Sequence, residues 1–396
     1  MAAFTIRRFS QPGRLKTIAP AALAAFFRPY ADYLRDRGFT FAPDLLGGFC
    51  YDTLASILIS PDGRVPREMV DALYFVDELA DEEGMDALLE AASDPSISLH
   101  LGSEPTPADV AIEAWLKSPE LVKRVHARGH ALRQKRFDYF RSRTPDRFSF
   151  PEFESSQMAS LQCCLEEWFE THKRGRYCGI LIFRHGTQVW FVVRHGLPFV
   201  REGSITERGP SMQYYRPEKY DVLVYDSDSG TLAVHADGKR LTSQYLFGLG
   251  LFLFGNERQF TSEHKLTLDP LKRYGADSLA CDDIAGINSV TLVELTRMRG
   301  GPYKRMVIDK ASDLFADFAA EGDALPETAR LISATLEFAF AEEEKPRRVT
   351  IRPPNTIVYA RNEDRDMVEP FLRARGFMPA LAERQVSEAE PLLADA

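Results

Sequence analysis

The sequence holds only five cysteines in 396 residues: Cys50, Cys163, Cys164, Cys178 and Cys281. An odd number without a C-x-x-C pair supports neither a disulfide framework nor a zinc knuckle. The adjacent Cys163 and Cys164 read as small apolar residues of a helix. Long apolar runs are missing as well. The longest, YLFGLGLFLFG from Tyr245 to Gly255, falls well short of the roughly 20 residues a helix needs to cross a bilayer, and reads as a core segment. The first residues, MAAFTIRRFSQPGRLK, contain arginines but no apolar stretch leading to a small-residue cleavage site. No secretory signal is read there, and a cytoplasmic location is expected. Four familiar patterns are also absent: G-x-G-x-x-G, G-x-x-x-x-G-K-[ST], H-E-x-x-H and G-x-S-x-G. Their absence leaves dinucleotide binding, P-loop chemistry, zincin-type hydrolysis and nucleophile-elbow hydrolysis without support.

What is present is ordinary globular material, 44% hydrophobic and 11% aromatic, in a chain long enough for two or three domains. Alanine- and arginine-rich usage points to a bacterial source. The pattern predicts an α+β protein with a helical region over residues 1–147, a larger and mainly antiparallel sheet domain over 157–379, and an acidic tail over 380–396. In the first region, IAPAALAAFFRPYADYLRDRGF spaces its apolar residues by three and four and stops at Gly38, a left-handed cap. Thr106-Pro107 and Ser118-Pro119 each read as an N-cap followed by a first-turn proline. The second of these opens a helix expected to run from Pro119 to about Arg143. TPDRFSFPEFESS, from Thr144 to Ser156, is the expected linker. Beyond it, β-branched and aromatic runs such as CGILIFRHG, TQVWFVVRHG, YDVLVYD, TLAVHA, LFLFG and HKLTLD read as strands, separated by turn residues. YLRDRGF at Tyr33–Phe39 and FLRARGF at Phe371–Phe377 are nearly alike, which two helix ends built from Arg, Gly and Phe explain without a duplication.

Charge is the clearest departure from the average. The chain carries −9 overall, which argues against a general attraction to nucleic acid or anionic lipid. Between Lys123 and Arg147, however, nine Lys/Arg face two Asp, a local +7, while the remainder holds 40 basic and 56 acidic residues. Arg128, Arg133, Lys135, Arg136, Arg141 and Arg143 are the candidate binding residues. Phe137, Tyr139 and Phe140 lie among them for packing or stacking. The alternative use of these cations is pairing with the acidic stretch DELADEEGMDALLE of the same domain.

Two further motifs carry possible chemistry. Arg184-His185-Gly186, in LIFRHGTQ, resembles the opening of the histidine phosphatase superfamily, where a strand ends in a phosphorylated histidine and a helix follows. Here TQVWFVVRHG follows and is strand-like, so a tight hairpin turn is expected, with Arg194-His195-Gly196 closing the second strand. YDVLVYDSDSGTLAVHADGKRL is similar in outline to metal-dependent nucleases of the restriction type, which combine an acid on one strand with an acid and a lysine on the next. That resemblance implies Mg²⁺ held by Asp226, Asp228 and Asp237, with Lys239 steadying phosphate charge. Glu263-His264-Lys265 is a rival pair, and the plain reading of all these residues is turn chemistry.

The expectation is therefore a non-catalytic binding or accessory protein without a cofactor. Its partner is nucleic acid or an acidic protein, reached through a basic helix, and no membrane is involved. A Mg²⁺-dependent nuclease or phosphodiesterase is the alternative, and a structural protein-interaction subunit the third reading.

Overall fold

A computed structural model describes residues 6–41, 50–93, 97–143, 150–206, 209–261, 266–298, 303–322, 325 and 330–379. Among them the fold is α+β, with N-terminal helices and a large antiparallel sheet. The chain divides into two compact units, Met1–Ala131 with Val200–Tyr215, and Leu132–Phe199 with Arg216–Ala396. The expected acidic tail and the first residues of the expected linker lie outside the described residues. No described helix is long and apolar enough to cross a membrane.

The first unit contains α1 (Pro12–Leu15), α2 (Pro20–Phe27), α3 (Ala31–Asp36), α4 (Tyr51–Ile59), α5 (Arg67–Leu79), α6 (Glu82–Ala91), α7 (Pro107–Lys117) and nearly all of α8 (Pro119–Leu132). Local chemistry sets these limits. Thr106 and Asp109 form a reciprocal capping box before α7, and Asp81 caps α6 through the amide of Gly84. Gly38, at φ 87°, lets Phe39 N–H reach back to Leu34 O at 2.8 Å beyond α3. Phe9, Phe26 and Phe27 meet in the core of this unit, and buried Asp77 accepts the amides of Arg7 and Arg8.

The second unit is built on β1 (Arg136–Ser142), α9 (Ser155–Thr171), β2 (Cys178–His185) and β3 (Gln188–Gly196). The hairpin β4 (Val200–Thr206) and β5 (Gly209–Tyr215) then intervenes and groups with the first unit. The sheet continues with β6 (Glu218–Asp226), β7 (Thr231–His235), α10 (Lys239–Phe254), β8 (Phe260–Thr261), α11 (Asp269–Tyr274), β9 (Ile287–Met298) and β10 (Met306–Lys310). It closes with α12 (Leu314–Glu321), β11 (Arg330–Phe340), β12 (Arg347–Arg352), β13 (Thr356–Val358) and α13 (Arg361–Ala374). Strand order is β10-β9-β11-β12-β13-β1-β7-β6-β3-β2, with β8 attached to β1.

Two halves of this sheet have the same plan. The meander β2-β3-β6-β7 is followed by α10, and β9-β11-β12-β13 by α13; β7 and β13 flank β1, each antiparallel to it. Phe140 of β1 joins Phe191, Leu223 and Leu232 beneath α9 and α10. Its neighbour Tyr139 points the other way, as alternation along a strand requires, and bonds to Arg361 of α13. The two helices thus cover opposite faces.

Two expectations are corrected here. The helix expected to continue to Arg143 ends at Leu132, and residues 136–142 form β1, in the interior of the sheet. Phe137, Tyr139 and Phe140 are 0%, 1% and 6% exposed. Burial against both faces of a sheet outweighs the weaker helical spacing of these residues. LFLFG, read as a strand, is the last turn of α10 and its cap, Gly255 at φ 68°. Close packing requires glycine within this helix: a Cβ on Gly248 would stand 2.8 Å from Leu161 Cδ1 of α9, and one on Gly250 2.5 Å from Asn256 O. HKLTLD likewise gives no described strand, since Leu266–Leu268 lead directly into α11.

Candidate functional site

The six basic residues expected to share one helix are dispersed. Arg128 lies on α8, paired with Glu90 of the acidic stretch at 3.3 Å. Arg141 and Arg143 stand at the far end of β1, where Arg141 is half-buried and donates to Pro379 O. Burial, followed by the nearby charge of Arg373, lowers the Arg141 pKa. Arg133, Lys135 and Arg136 remain exposed where β1 begins. The buried aromatics of β1 offer no stacking platform.

At that same end the sheet adds cations that sequence distance had hidden. Asp138 pairs with Val234 in the β1–β7 register, and His235 Nδ1 donates to Arg136 O at 2.9 Å. The chain then passes Ala236 and Asp237 and turns at Gly238, whose φ of 91° sends it directly into α10. Lys239 and Arg240, in the first turn of α10, are thereby delivered to the strand end occupied by Lys135 and Arg136. No side chain caps this helix and its first turn has no acid, so its amides and dipole add positive potential.

Neighbouring acids are already engaged. Asp237 pairs with Lys219 at 3.2 Å, Glu218 with Arg194 at 2.7 Å, and Glu170 with Arg176 at 3.1 Å. Burial works against ionisation of Asp237, yet the hydrogen bond and charge of Lys219 leave its pKa below the ordinary carboxylate value. Glu218 likewise outweighs the burial of Arg194 and raises its pKa. Among the described residues no ion pair engages Lys135, Arg136, Lys239 or Arg240, and all four are exposed. Lys239 enters here by its position in the first turn of α10.

A buried network fixes this end in place. Asp221 Oδ2 accepts from Tyr245 Oη at 2.8 Å and lies 2.9 Å from His195 Nε2, while His195 Nδ1 lies 2.9 Å from Gly196 O. Tyr245 thereby ties α10 to β6 and β3. Burial, reinforced by Asp221, pushes its pKa well above the ordinary value. The side chains of His195 and Asp221 are 0% exposed, so their role is to position the elements around them.

The nuclease constellation does not assemble. Asp226 pairs with Thr231 in the β6–β7 register, whereas Asp237 lies beyond His235 at the opposite end of the hairpin. At about 3.3 Å per residue the separation is roughly 20 Å. Asp226 is 1% exposed and its carboxylate is filled by Asp228 N–H, Ser229 Oγ and Arg365 Nη2, the last at 2.6 Å. Asp228 accepts from Thr187 Oγ1 at 2.7 Å. Among the described residues no group of three His, Cys, Asp or Glu side chains could hold a metal ion. Glu263, His264 and Lys265 lie outside the described residues.

Arg184-His185-Gly186 belongs to the β2–β3 hairpin, where His185 pairs with Gln188 and Gly186 takes φ 57°. A strand, not a helix, follows; His185, Gly186 and Thr187 line a cleft of about 440 Å³ together with Arg365 and Asp366. The chain matches no protein-family model, and a search of the curated proteins finds no match either.

Proposed function

We propose that this is a non-catalytic nucleic-acid-binding protein that contacts duplex phosphates through the basic end of its sheet. One observation carries the reading: the β1–β7 register and the turn at Gly238 set Lys239 and Arg240 at the sheet end where Lys135 and Arg136 lie, and among the described residues no ion pair engages any of the four. Cations arranged at a strand end and a helix start, beside the amides of an uncapped first turn, suit phosphate oxygens. Burial of the β1 aromatics favours contact with the backbone of a duplex over stacking on single-stranded bases. Contact limited to phosphates is independent of sequence.

The test is anisotropy of a labelled DNA duplex with the full chain and with a variant carrying Lys135→Glu, Arg136→Glu, Lys239→Glu and Arg240→Glu. We expect saturable binding that the variant loses, with an unchanged circular dichroism spectrum. Equal binding by the two proteins contradicts the proposal. So does absence of binding to any nucleic acid together with charge-dependent capture of an acidic protein, which assigns this surface to a protein partner.

A further inference from the structure

A second feature of the sheet unit lies near the opposite end of β1. Between α11, the start of β11, the β12–β13 turn and the segment after α13 is a cleft of about 820 Å³. That volume falls within the roughly 300–1,000 Å³ of small-molecule sites. Its composition is divided. Leu266, Leu268 and Pro270 are buried apolar residues from the approach to α11, and Leu331 and Ile332 of β11 join them. A register shift between Leu331 and Ser333 leaves Ile332 out of the β9–β11 pairing, where it lines the cleft.

Charge over this apolar floor is mainly positive. Lys272, Arg273, Arg330 and Arg375 line the cleft, against Asp269 alone. Arg375 is committed to Asp283 and to Ala280 O. Arg273 and Arg330 are exposed, and among the described residues no ion pair engages either. An apolar wall is of no use to a phosphodiester backbone, and a purely apolar ligand makes no use of the two guanidinium groups. A ligand with both parts matches: an anionic head for the arginines and a hydrocarbon body for Leu266, Leu331 and Ile332. Guanidinium groups favour carboxylate through paired N–H donors.

We infer that this cleft binds an amphipathic carboxylate, a medium-chain acid, with the head at Arg273 and Arg330 and the chain on the apolar floor. The inference is independent of the nucleic-acid reading, because it uses other residues at the other end of β1.

The experiment is isothermal titration of the full chain with decanoate, alongside decan-1-ol and acetate. Saturable decanoate binding is expected, with decan-1-ol and acetate each weaker by about tenfold or more, since each lacks one part of the match. Arg273→Ala with Arg330→Ala is expected to weaken decanoate by about tenfold or more and Ile332→Gln to weaken it also, while Lys135→Ala with Arg136→Ala leaves it unchanged. Both arginines are exposed, so their removal leaves the fold intact, checked by circular dichroism. The inference is overturned by absence of saturable decanoate binding, by equal affinity for decan-1-ol, or by a folded arginine variant that binds as tightly as the parent. Binding of a glutamate-rich peptide without decanoate overturns it too, and makes the cleft a peptide-docking site.

Discussion

Arg361 is 2% exposed and holds Glu369, itself 2% exposed, at 2.6 Å, with Tyr139 Oη accepting from the same guanidinium. Burial pushes the Tyr139 pKa up to about 12, so the phenol stays a neutral member of this network. Removing one partner of a buried pair strands the other charge, at about 3–5 kcal/mol. Glu369→Gln is therefore expected to lower the unfolding free energy by that order in urea titration, whereas Glu363→Gln, on the exposed side of the same helix, costs under about 1 kcal/mol. Equal effects would show that the buried pair is not a main support of α13. Asp237 represents the exposed regime. Its folded pKa is lowered from 3.8, so its contribution to stability is present above that value and is lost as the pH falls through the lower, folded one. Asp237 is 65% exposed, and the contribution is under about 1 kcal/mol. Asp237→Asn should flatten the acid side of the stability profile slightly and, at neutral pH, tighten duplex binding a few-fold by releasing Lys219. Weaker binding by this variant would mean that Asp237 orders the cationic surface and does not merely offset its charge.

At the scale of elements, the placement of α10 depends on glycine. A Cβ on Gly250 meets the backbone oxygen of Asn256 at 2.5 Å, while one on Gly248 meets the end of the Leu161 side chain at 2.8 Å. Backbone cannot turn aside and a leucine can. Gly250→Ala is expected to destabilise by about 1–3 kcal/mol, and Gly248→Ala by clearly less, in thermal unfolding of the two variants. Features that depend on a few adjacent residues were legible in the sequence: the caps at Thr106 and Gly38, the prolines opening α7 and α8, the turn at Gly186, and alternating strands followed by helices. Gly376 at φ 78° closes α13 as Gly38 closes α3, as the two Arg-Gly-Phe endings implied. Features that depend on distant partners were not legible. Phe137 and Tyr139 lie on a strand because β7 and β13 pair with it, and both pairings come from residues about a hundred or more positions away. LFLFG read as a strand, because the α9 surface that Gly248 approaches lies far off in the sequence.

Over the whole molecule, a net charge of −9 makes the uncompensated basic sheet end an exception to its surroundings. Half of the site was legible, since Lys135 and Arg136 stood out by local charge. Lys239 and Arg240 did not stand out as its partners, because register, not spacing, sets them at the same sheet end; the hint available was a Lys-Arg pair directly after a strand and a glycine. The same register holds Asp226 and Asp237 at opposite ends of their hairpin. The most direct measurement is the salt dependence of duplex binding by the parent chain and by the variant reversed at Lys135, Arg136, Lys239 and Arg240. If these residues contact about four phosphates, log K should fall against log salt with a slope of about −3 to −4, roughly a hundredfold between 50 and 200 mM, and the variant should show no such binding. A slope near zero, or a steep slope retained by the variant, would contradict the assignment of this surface.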